Sequence, residues 1–245
     1  MNRKYVFICG LHRSGTSTLT KIIGTSNLVS IHTNTDVPEN EGQHIQSVYD
    51  PASKYGGPGK FGFDKKYHYT EKSHLLTQKN NDKIINEWSK YWDLNKYILV
   101  EKSPPNIIHT RYLQEIVQKS YFIIIIRHPL AVSFATKKWN NQTLDKHIEH
   151  WLYVHNILYN DLKQIKKYLI LKYEELNIDT FENIINNFLE EKLLIDSNIL
   201  ENFNSMKSSN KKYFENIVPD HIKNKYEKEI NKFGYTFNNP FVLHR

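Results

Sequence analysis

The sequence has little cysteine, since Cys9 is the only one among 245 residues. A single thiol excludes an internal disulfide and a metal centre built from several thiolates. Long apolar runs are also lacking: the longest, YFIIII at 121–126, has the length of a strand and is too short to cross a bilayer. The apolar run near the N-terminus is too short for a signal peptide. We therefore expect a cytoplasmic protein without a membrane span.

Acidic residues are fewer than basic ones, with 26 Asp and Glu against 33 Lys and Arg and a net charge of +7. This balance favours an anionic partner, such as a nucleic acid, a nucleotide, an acidic glycan or a membrane surface. A solvated lysine-rich surface explains most of the lysines equally well. The sequence has no recognisable nucleic-acid reading motif, so we expect no nucleic-acid partner. A length of 245 residues fits one domain spanning 1–245.

Apolar, β-rich runs alternate with amphipathic segments along the chain. The runs predict strands, and the segments between them show helical spacing. This alternation predicts a three-layer α/β/α fold around a central parallel sheet. Residues 34–74 are rich in turn signals and predict a long loop, and residues 177–245 read as mainly helical and polar. The predicted strands are 5–10, 27–32, 96–105, 121–129 and 168–176, and the predicted helices include 81–92, 110–119 and 147–165.

The stretch ICGLHRSGTSTLTKI at 8–22 is close to a phosphate-binding P-loop. Gly10 and Gly15 have the P-loop spacing, but Thr16 stands where the pattern requires lysine. A strand, a glycine-containing turn and a helix start aim backbone N–H groups at one point, where the helix dipole also favours an anion. We therefore predict an anion site that performs no γ-phosphate chemistry. Its candidate residues are Arg13, Ser14, Gly15, Thr16, Ser17 and Thr18.

A second anion site is predicted where the apolar run 121–126 ends at Arg127. Ser133 and Thr136 follow early in the next predicted helix, and an arginine with a hydroxyl at a helix start can bind a phosphate. An arginine at a strand end is, taken alone, more often a salt-bridge partner. The carboxyl ends of parallel strands lie at one edge of a sheet, where ligands bind. The two sites together indicate a ligand with two separated phosphate-like groups.

Three motifs in this order, RSGTS, EKSPP and RHPLAVS, resemble those of the sulfotransferases that use 3′-phosphoadenosine 5′-phosphosulfate (PAPS). The resemblance runs from about residue 4 to 176, and NKFGYTF at 231–237 is similar to the tail of bacterial and carbohydrate-type members. It implies that the P-loop-like first loop holds the 5′-phosphosulfate and that an arginine and a serine hold the 3′-phosphate. The implied product is 3′-phosphoadenosine 5′-phosphate (PAP), and no metal is required.

The resemblance also implies roles for the binding residues. Arg13 corresponds to the basic residue that contacts the bridging oxygen and stabilises the leaving group. Arg127 corresponds to the 3′-phosphate arginine. The family's serine usually follows that arginine by eight residues, where this chain has Ala135, so Ser133 or Thr136 has to replace it. Lys211 or Lys212, within KSSNKKYF at 207–214, lies where family members close over the nucleotide, although a basic surface run is the alternative.

A base that removes the proton of the acceptor is expected in the loop DVPENEGQH at 36–44. Glu41 or Glu39 is the first choice, and His44 is either the base itself or orients it. Lys102 resembles the active-site lysine that helps to neutralise the transferring sulfuryl group. Glu101 is expected to pair with Lys102 or with Arg111.

The resemblance therefore predicts sulfuryl transfer from PAPS to a hydroxyl or amine acceptor, either a glycan or a small molecule. The alternative is a P-loop nucleotide kinase or NTP-binding module with a degenerate Walker loop. The missing Gly-Lys dipeptide argues against it, because that lysine stabilises the γ-phosphate. His147, His150 and His155 lack partners at metal-ligand spacing and are assigned to the faces of a long helix.

Overall fold

The computed structural model describes residues 3–196, 199 and 210–241. Its sheet has five strands, all parallel, in the order β2-β3-β1-β4-β5. The α/β class and the central parallel sheet that the sequence predicts are therefore confirmed. The strands are β1 (Lys4–Cys9), β2 (Val29–Ile31), β3 (Ile98–Lys102), β4 (Ser120–Ile126) and β5 (Tyr168–Lys172).

Strand β1 is the central strand of the sheet, and its side chains from Val6 onward are apolar on both faces. Val6, Phe7, Ile8 and Cys9 are at most 1% exposed, as expected for a strand covered by helices on both sides. Its neighbours are β3 and β4, and Ile8 pairs in register with Lys102. The carboxyl end of β1 therefore lies between the ends of these two strands.

Helices cover both faces of the sheet and bury two separate apolar clusters. One cluster contains Trp88 of α3 and Trp151 of α6, and the other contains Leu19 of α1 and Ile185 of α7. This arrangement confirms the three layers. The described helices are α1 (Thr16–Ile23), α2 (Gly42–Ile45), α3 (Gln78–Ser89), α4 (Thr110–Ile116), α5 (Pro129–Thr136), α6 (Leu144–Asp161), α7 (Ile178–Leu189), α8 (Lys211–Phe214) and α9 (Asp220–Asn231).

The predicted helices 81–92 and 147–165 begin earlier than expected because a threonine caps each. The Thr77 side chain accepts a hydrogen bond from the backbone N–H of Asn80 at the start of α3, and the Thr143 side chain does the same for Lys146 at the start of α6. A capping hydroxyl satisfies a backbone donor that the first helical turn leaves without a partner. Each helix thus begins next to a polar capping residue, and the spacing of apolar residues alone does not reveal where such a helix begins.

The predicted long loop 34–74 holds short turns and the four-residue helix α2. Buried aromatic side chains such as Phe61 and Tyr67, both 0% exposed, fix it against the core. The C-terminal part contains α7, α8 and α9, and residues 197–198, 200–209 and 242–245 lie outside the described part. Among the helices described, none combines the length and the apolar character that crossing a membrane requires.

Replacing Gly10 by alanine should destabilise the fold. A Cβ atom at this position would lie 2.6 Å from the backbone oxygen of Ile125, so the loop after β1 has to move away from β4. We expect Gly10→Ala to lose about 1–3 kcal/mol of unfolding free energy in urea denaturation. The control is Lys21→Ala, an exposed change on α1. Equal denaturation midpoints for the two variants would contradict the tight contact.

Candidate active site

The loop between β1 and α1 turns at two residues with left-handed backbone. Arg13 has a φ of 69° and Gly15 a φ of 100°. A Cβ at Gly15 would lie 2.9 Å from the ring of Tyr173, so a side chain is excluded there. No side chain caps the start of α1, and the first N–H groups of a helix have no partner within the helix. The loop thus presents backbone donors and the positive end of a helix dipole.

The start of α1 faces a cavity of about 360 Å³ at the carboxyl edge of the sheet. Most of the predicted site residues line it, although they come from three separate regions of the sequence. These residues are Arg13, Gly15, Thr16, Ser17, Thr18, Glu39, Glu41 and Arg127. Sequence reasoning missed several further residues of its wall, namely His12, Pro104, Trp139, Tyr173 and Tyr213. Ser14 is not part of the wall, since its side chain is fully buried.

The guanidinium of Arg127 is buried and held from several sides. Its Nε donates to the side-chain oxygen of Asn210 at 2.8 Å, and Nη1 donates to the backbone oxygen of Arg13 at 2.9 Å. The guanidinium carbon lies 4.1 Å from the ring centroid of Tyr173. These contacts fix the positive charge at the cavity wall and tie the end of β4 to the first loop.

A buried glutamate, Glu174, organises this corner of the site. Its Oε1 accepts hydrogen bonds from the backbone N–H of His128 at 2.8 Å and from the Asn210 amide at 2.6 Å. The Tyr235 hydroxyl donates to its Oε2 at 2.9 Å. Burial raises the pKa of Glu174, and these hydrogen bonds oppose the rise. The segment NKFGYTF, which contains Tyr235, was a sign in the sequence that the C-terminal part contributes to the site. The link from Tyr235 through Glu174 to Arg127 could not be predicted.

Glu41 lines the cavity and forms an ion pair with Lys102. Its Oε1 lies 3.0 Å from Nζ of Lys102, and its Oε2 accepts a hydrogen bond from Nε2 of Gln43 at 2.5 Å. His44 Nε2 is 3.9 Å from Oε2, too far for a hydrogen bond, and His44 does not line the cavity. Burial lowers the pKa of His44. The geometry thus places the carboxylate, and not the imidazole, next to the cavity.

Glu101 forms no ion pair with Lys102 or Arg111 in the described part of the chain, so that prediction is wrong. Lys102 pairs with Glu41 instead, and Arg111 pairs with Glu71 and Asp161. The carboxylate of Glu101, 1% exposed, accepts from backbone N–H of Gly42 at 3.0 Å.

Two side chains that follow β3 complete the shell of Glu101. The Ser103 hydroxyl donates to its Oε1 at 2.6 Å, and the Asn106 amide donates to its Oε2. Ser103 Oγ also accepts from the backbone N–H of Gln43 at 2.9 Å. Glu101 and Ser103 therefore anchor α2, which directly follows Glu41, to the end of β3.

Ser133 and Thr136 do not line the large cavity with Arg127. Both are buried on the inner side of α5, and they face a separate space of about 10 Å³. Neither hydroxyl has a hydrogen-bond partner within the described residues. The assignment of Ser133 to a phosphate therefore stays a prediction. Lys212 of α8 lines the large cavity, whereas Lys211 does not.

The histidines of α6 lie within the protein, not on an exposed helix face. His147, His150 and His155 are at most 4% exposed, and burial lowers the pKa of His150 and of His155 to about 3. Across the described ranges 3–196 and 210–241, no group of three or more His, Cys, Asp or Glu side chains is arranged to hold a metal ion.

The sequence matches the model described as the sulfotransferase family over residues 6–186. The chain belongs to the sulfotransferase family. The resemblance of its three motifs is thereby confirmed, and the chemistry of the family is transfer of a sulfuryl group to an acceptor. No curated protein matches the sequence.

Solved sulfotransferase structures share the fold at low sequence identity. The sulfotransferase domain of an olefin synthase from Synechococcus PCC 7002 has 16% identity and a TM-score of 0.56, with 96% of each chain covered. Sulfotransferase STF9 from Mycobacterium avium has 10% identity and a TM-score of 0.57, covering 100% of this chain and 79% of its own. At such identities the likeness concerns the fold.

Glu101 should make the stability of this sulfotransferase depend on pH. Burial raises its pKa from the ordinary value of 4.5 to about 7, against the hydrogen bonds from Ser103 and Asn106. Between these values the folded protein binds more protons than the unfolded chain, so stability falls as pH rises through this window.

Replacing the carboxyl group of Glu101 should make the unfolding free energy less dependent on pH. In the parent protein, we expect the unfolding free energy to fall by up to about 3 kcal/mol between pH 4.5 and 7. In Glu101→Gln this fall should be absent. Urea denaturation across this range measures it, and Glu115→Gln, an exposed change, is the control. A decline of the same size in Glu101→Gln would show that another group causes it.

Proposed function

We propose that this protein transfers a sulfuryl group from PAPS to a hydroxyl or amine of a glycan or small molecule. The observation that carries the proposal is one cavity that the helix start of α1, two arginines and two glutamates all line. Its volume of about 360 Å³ lies within the about 300–1,000 Å³ that small-molecule and cofactor sites occupy. The cations Arg13, Arg127 and Lys212 match a donor that carries several anionic groups.

The first loop is proposed to hold the 5′-phosphosulfate. The N–H groups and hydroxyls at the start of α1 bind anionic oxygens without a metal. Arg13 is exposed, and its guanidinium lies 5.4 Å from the ring centroid of Trp139. From this position it stabilises the negative charge that develops on the oxygen of the leaving phosphate. When bound, PAPS supplies the sulfuryl group, and PAP leaves as product.

The 3′-phosphate is proposed to bind Arg127 and Lys212. Arg127 is held in place by Asn210 and the backbone of Arg13, and Lys212 lies on the same cavity wall. This pair of cations supplies charge where Ala135 replaces the family's serine. The earlier candidate Ser133 lies behind the wall of this cavity and would have to become accessible to take part.

Glu41 is proposed as the base that accepts the proton of the acceptor hydroxyl. Lys102 and Gln43 each occupy one of its oxygens, and a carboxylate has lone pairs for about four hydrogen bonds. A position for the acceptor hydroxyl therefore remains on the side that faces the cavity. The ammonium of Lys102, held 3.0 Å away, fixes the carboxylate and adds positive charge beside the transferring group.

Calorimetric titration with PAP, ADP and ATP, each with and without magnesium, tests the donor site. We expect PAP to bind without magnesium and more tightly than ADP, because only PAP carries the 3′-phosphate. Lys212→Ala should weaken PAP binding about tenfold and leave ADP binding unchanged, since a charge-assisted hydrogen bond contributes about 1.5–3 kcal/mol. Lys211→Ala, at the adjacent exposed position, is the matched control. A preference for magnesium–ATP would sink the proposal.

The base is tested by Glu41→Gln, which keeps the shape of the side chain and removes its proton affinity. We expect turnover to fall by about 10²–10⁴, the range of general-base contributions, with PAP affinity nearly unchanged. Transfer of radioactive sulfate from labelled PAPS to an acceptor panel measures turnover. Glu39→Gln is the comparison, because Glu39 lines the same cavity. Normal turnover in Glu41→Gln together with loss in Glu39→Gln would move the base to Glu39.

A further inference from the structure

A second cavity of about 250 Å³ adjoins the first one and shares Ser17 and Glu39 with its wall. The remaining wall includes Lys21 of α1, His32 after β2, and Lys102 at the end of β3. Its volume is below the about 300–1,000 Å³ of sites for drug-sized ligands. The space fits a compound of monosaccharide size next to the proposed donor site.

His32 is a buried polar group in this wall that lacks a full set of partners. The side chain is 4% exposed, and its ring stacks on Trp92 with a centroid distance of 4.6 Å. Neither ring nitrogen has a well-aligned hydrogen bond to a described residue.

The protonation state of the His32 ring determines which hydrogen bonds it can form with a ligand. The backbone of Asn40 favours the protonated ring, but burial outweighs this and lowers the pKa to about 3. A neutral imidazole has one N–H donor and one acceptor nitrogen, and the backbone of Asn40 serves at most one of them. The other nitrogen has no hydrogen-bond partner among the described residues.

The charges of the cavity differ between its two ends. Lys102 is paired with Glu41, whereas the exposed Lys21 makes no ion pair within the described residues. Lys21 follows Ser17 by one helical turn, about 6 Å along the axis of α1. The end near the donor site therefore offers a carboxylate and a hydroxyl, and the far end offers an ammonium group.

We propose that this second cavity binds the acceptor, a hydroxylated compound of monosaccharide size with one anionic group, either a carboxylate or a phosphate ester. The inference rests on the proposed function. One acceptor hydroxyl passes the shared wall at Ser17 and Glu39 and points toward Glu41 in the first cavity, the anionic group pairs with Lys21, and His32 binds a further hydroxyl. In the transfer, the acceptor oxygen forms a bond to sulfur, the bond from sulfur to the 5′-phosphate oxygen of PAPS breaks, and Glu41 takes the hydroxyl proton.

Ligand-observed NMR titration with glucuronate, glucose 6-phosphate and glucose tests this cavity. Each probe is titrated into the full chain with and without saturating PAP. We expect the two anions to bind up to about fivefold more tightly than glucose, the effect of one ion pair with an exposed lysine. Binding confined to one anion would identify the source of the negative charge. Equal binding of all three probes, or binding of none, would overturn the proposal.

Substitutions in the wall of the second cavity test whether the probes bind there. Lys21→Met should abolish the preference for the anions, and Lys83→Met, an exposed change on α3, should not. His32→Phe keeps the ring that stacks on Trp92 and should weaken all three probes about tenfold, the effect of a lost hydrogen bond. If His32→Phe does not fold, Lys21→Met still decides, because Lys21 is exposed. Unchanged anion preference in Lys21→Met would refute the location.

The same variants separate this inference from the proposed function. Neither Lys21 nor His32 lines the first cavity, so PAP affinity should be unchanged in both variants. PAP binding without anion-selective probe binding would remove the acceptor cavity and leave the donor proposal intact. Lys21-dependent probe binding in a protein that does not bind PAP would remove the donor proposal and support the second cavity alone.

Discussion

Parallel pairing of β1 with both β3 and β4 is the constraint on which the site depends. The register that sets Ile8 opposite Lys102 and Cys9 opposite Ile124 brings three chain segments to the same edge. The loop after β1 therefore lies between Lys102 and Arg127, which are far apart in sequence. Because all five strands run in the same direction, this edge also collects the loop after β2 that contains Glu41. A shift of one strand by a single residue would separate these groups.

Two buried glutamates hold the loops at this edge. Glu101 ties α2 and the turn after β3 together, while Glu174 joins Arg127, through Asn210, to the C-terminal tyrosine Tyr235. Burial raises the pKa of both carboxyl groups, so each is costly to ionise. The donors to both glutamates are backbone N–H groups, the short side chains of Ser103, Asn106 and Asn210, and the Tyr235 hydroxyl, which together fix the loops.

The sequence was sufficient for the strands, the layers and most residues of the cavity, because apolar runs and the edge rule for parallel sheets are local or topological signals. The sequence did not predict which side chains pair with each other when they lie far apart along the chain. The pairing of Lys102 with Glu41 instead of Glu101 depends on where the loop after β2 returns to the sheet. The inward direction of Ser133 depends on the rotation of α5, which is apolar on nearly all sides and so has no clear outer face.

Backbone strain lies in the wall between the two cavities. Glu39 and Asn40 have φ values of 54° and 51°, in the left-handed region that costs a residue with a side chain about 1–3 kcal/mol. Such a conformation persists only when surrounding contacts determine it, and here the Asn40 side chain accepts hydrogen bonds from the backbone N–H and the hydroxyl of Thr35. These bonds fix the turn that places Glu39 in both cavity walls. A relaxed turn would withdraw the carboxylate from the boundary, so the strain and the position of Glu39 have the same cause.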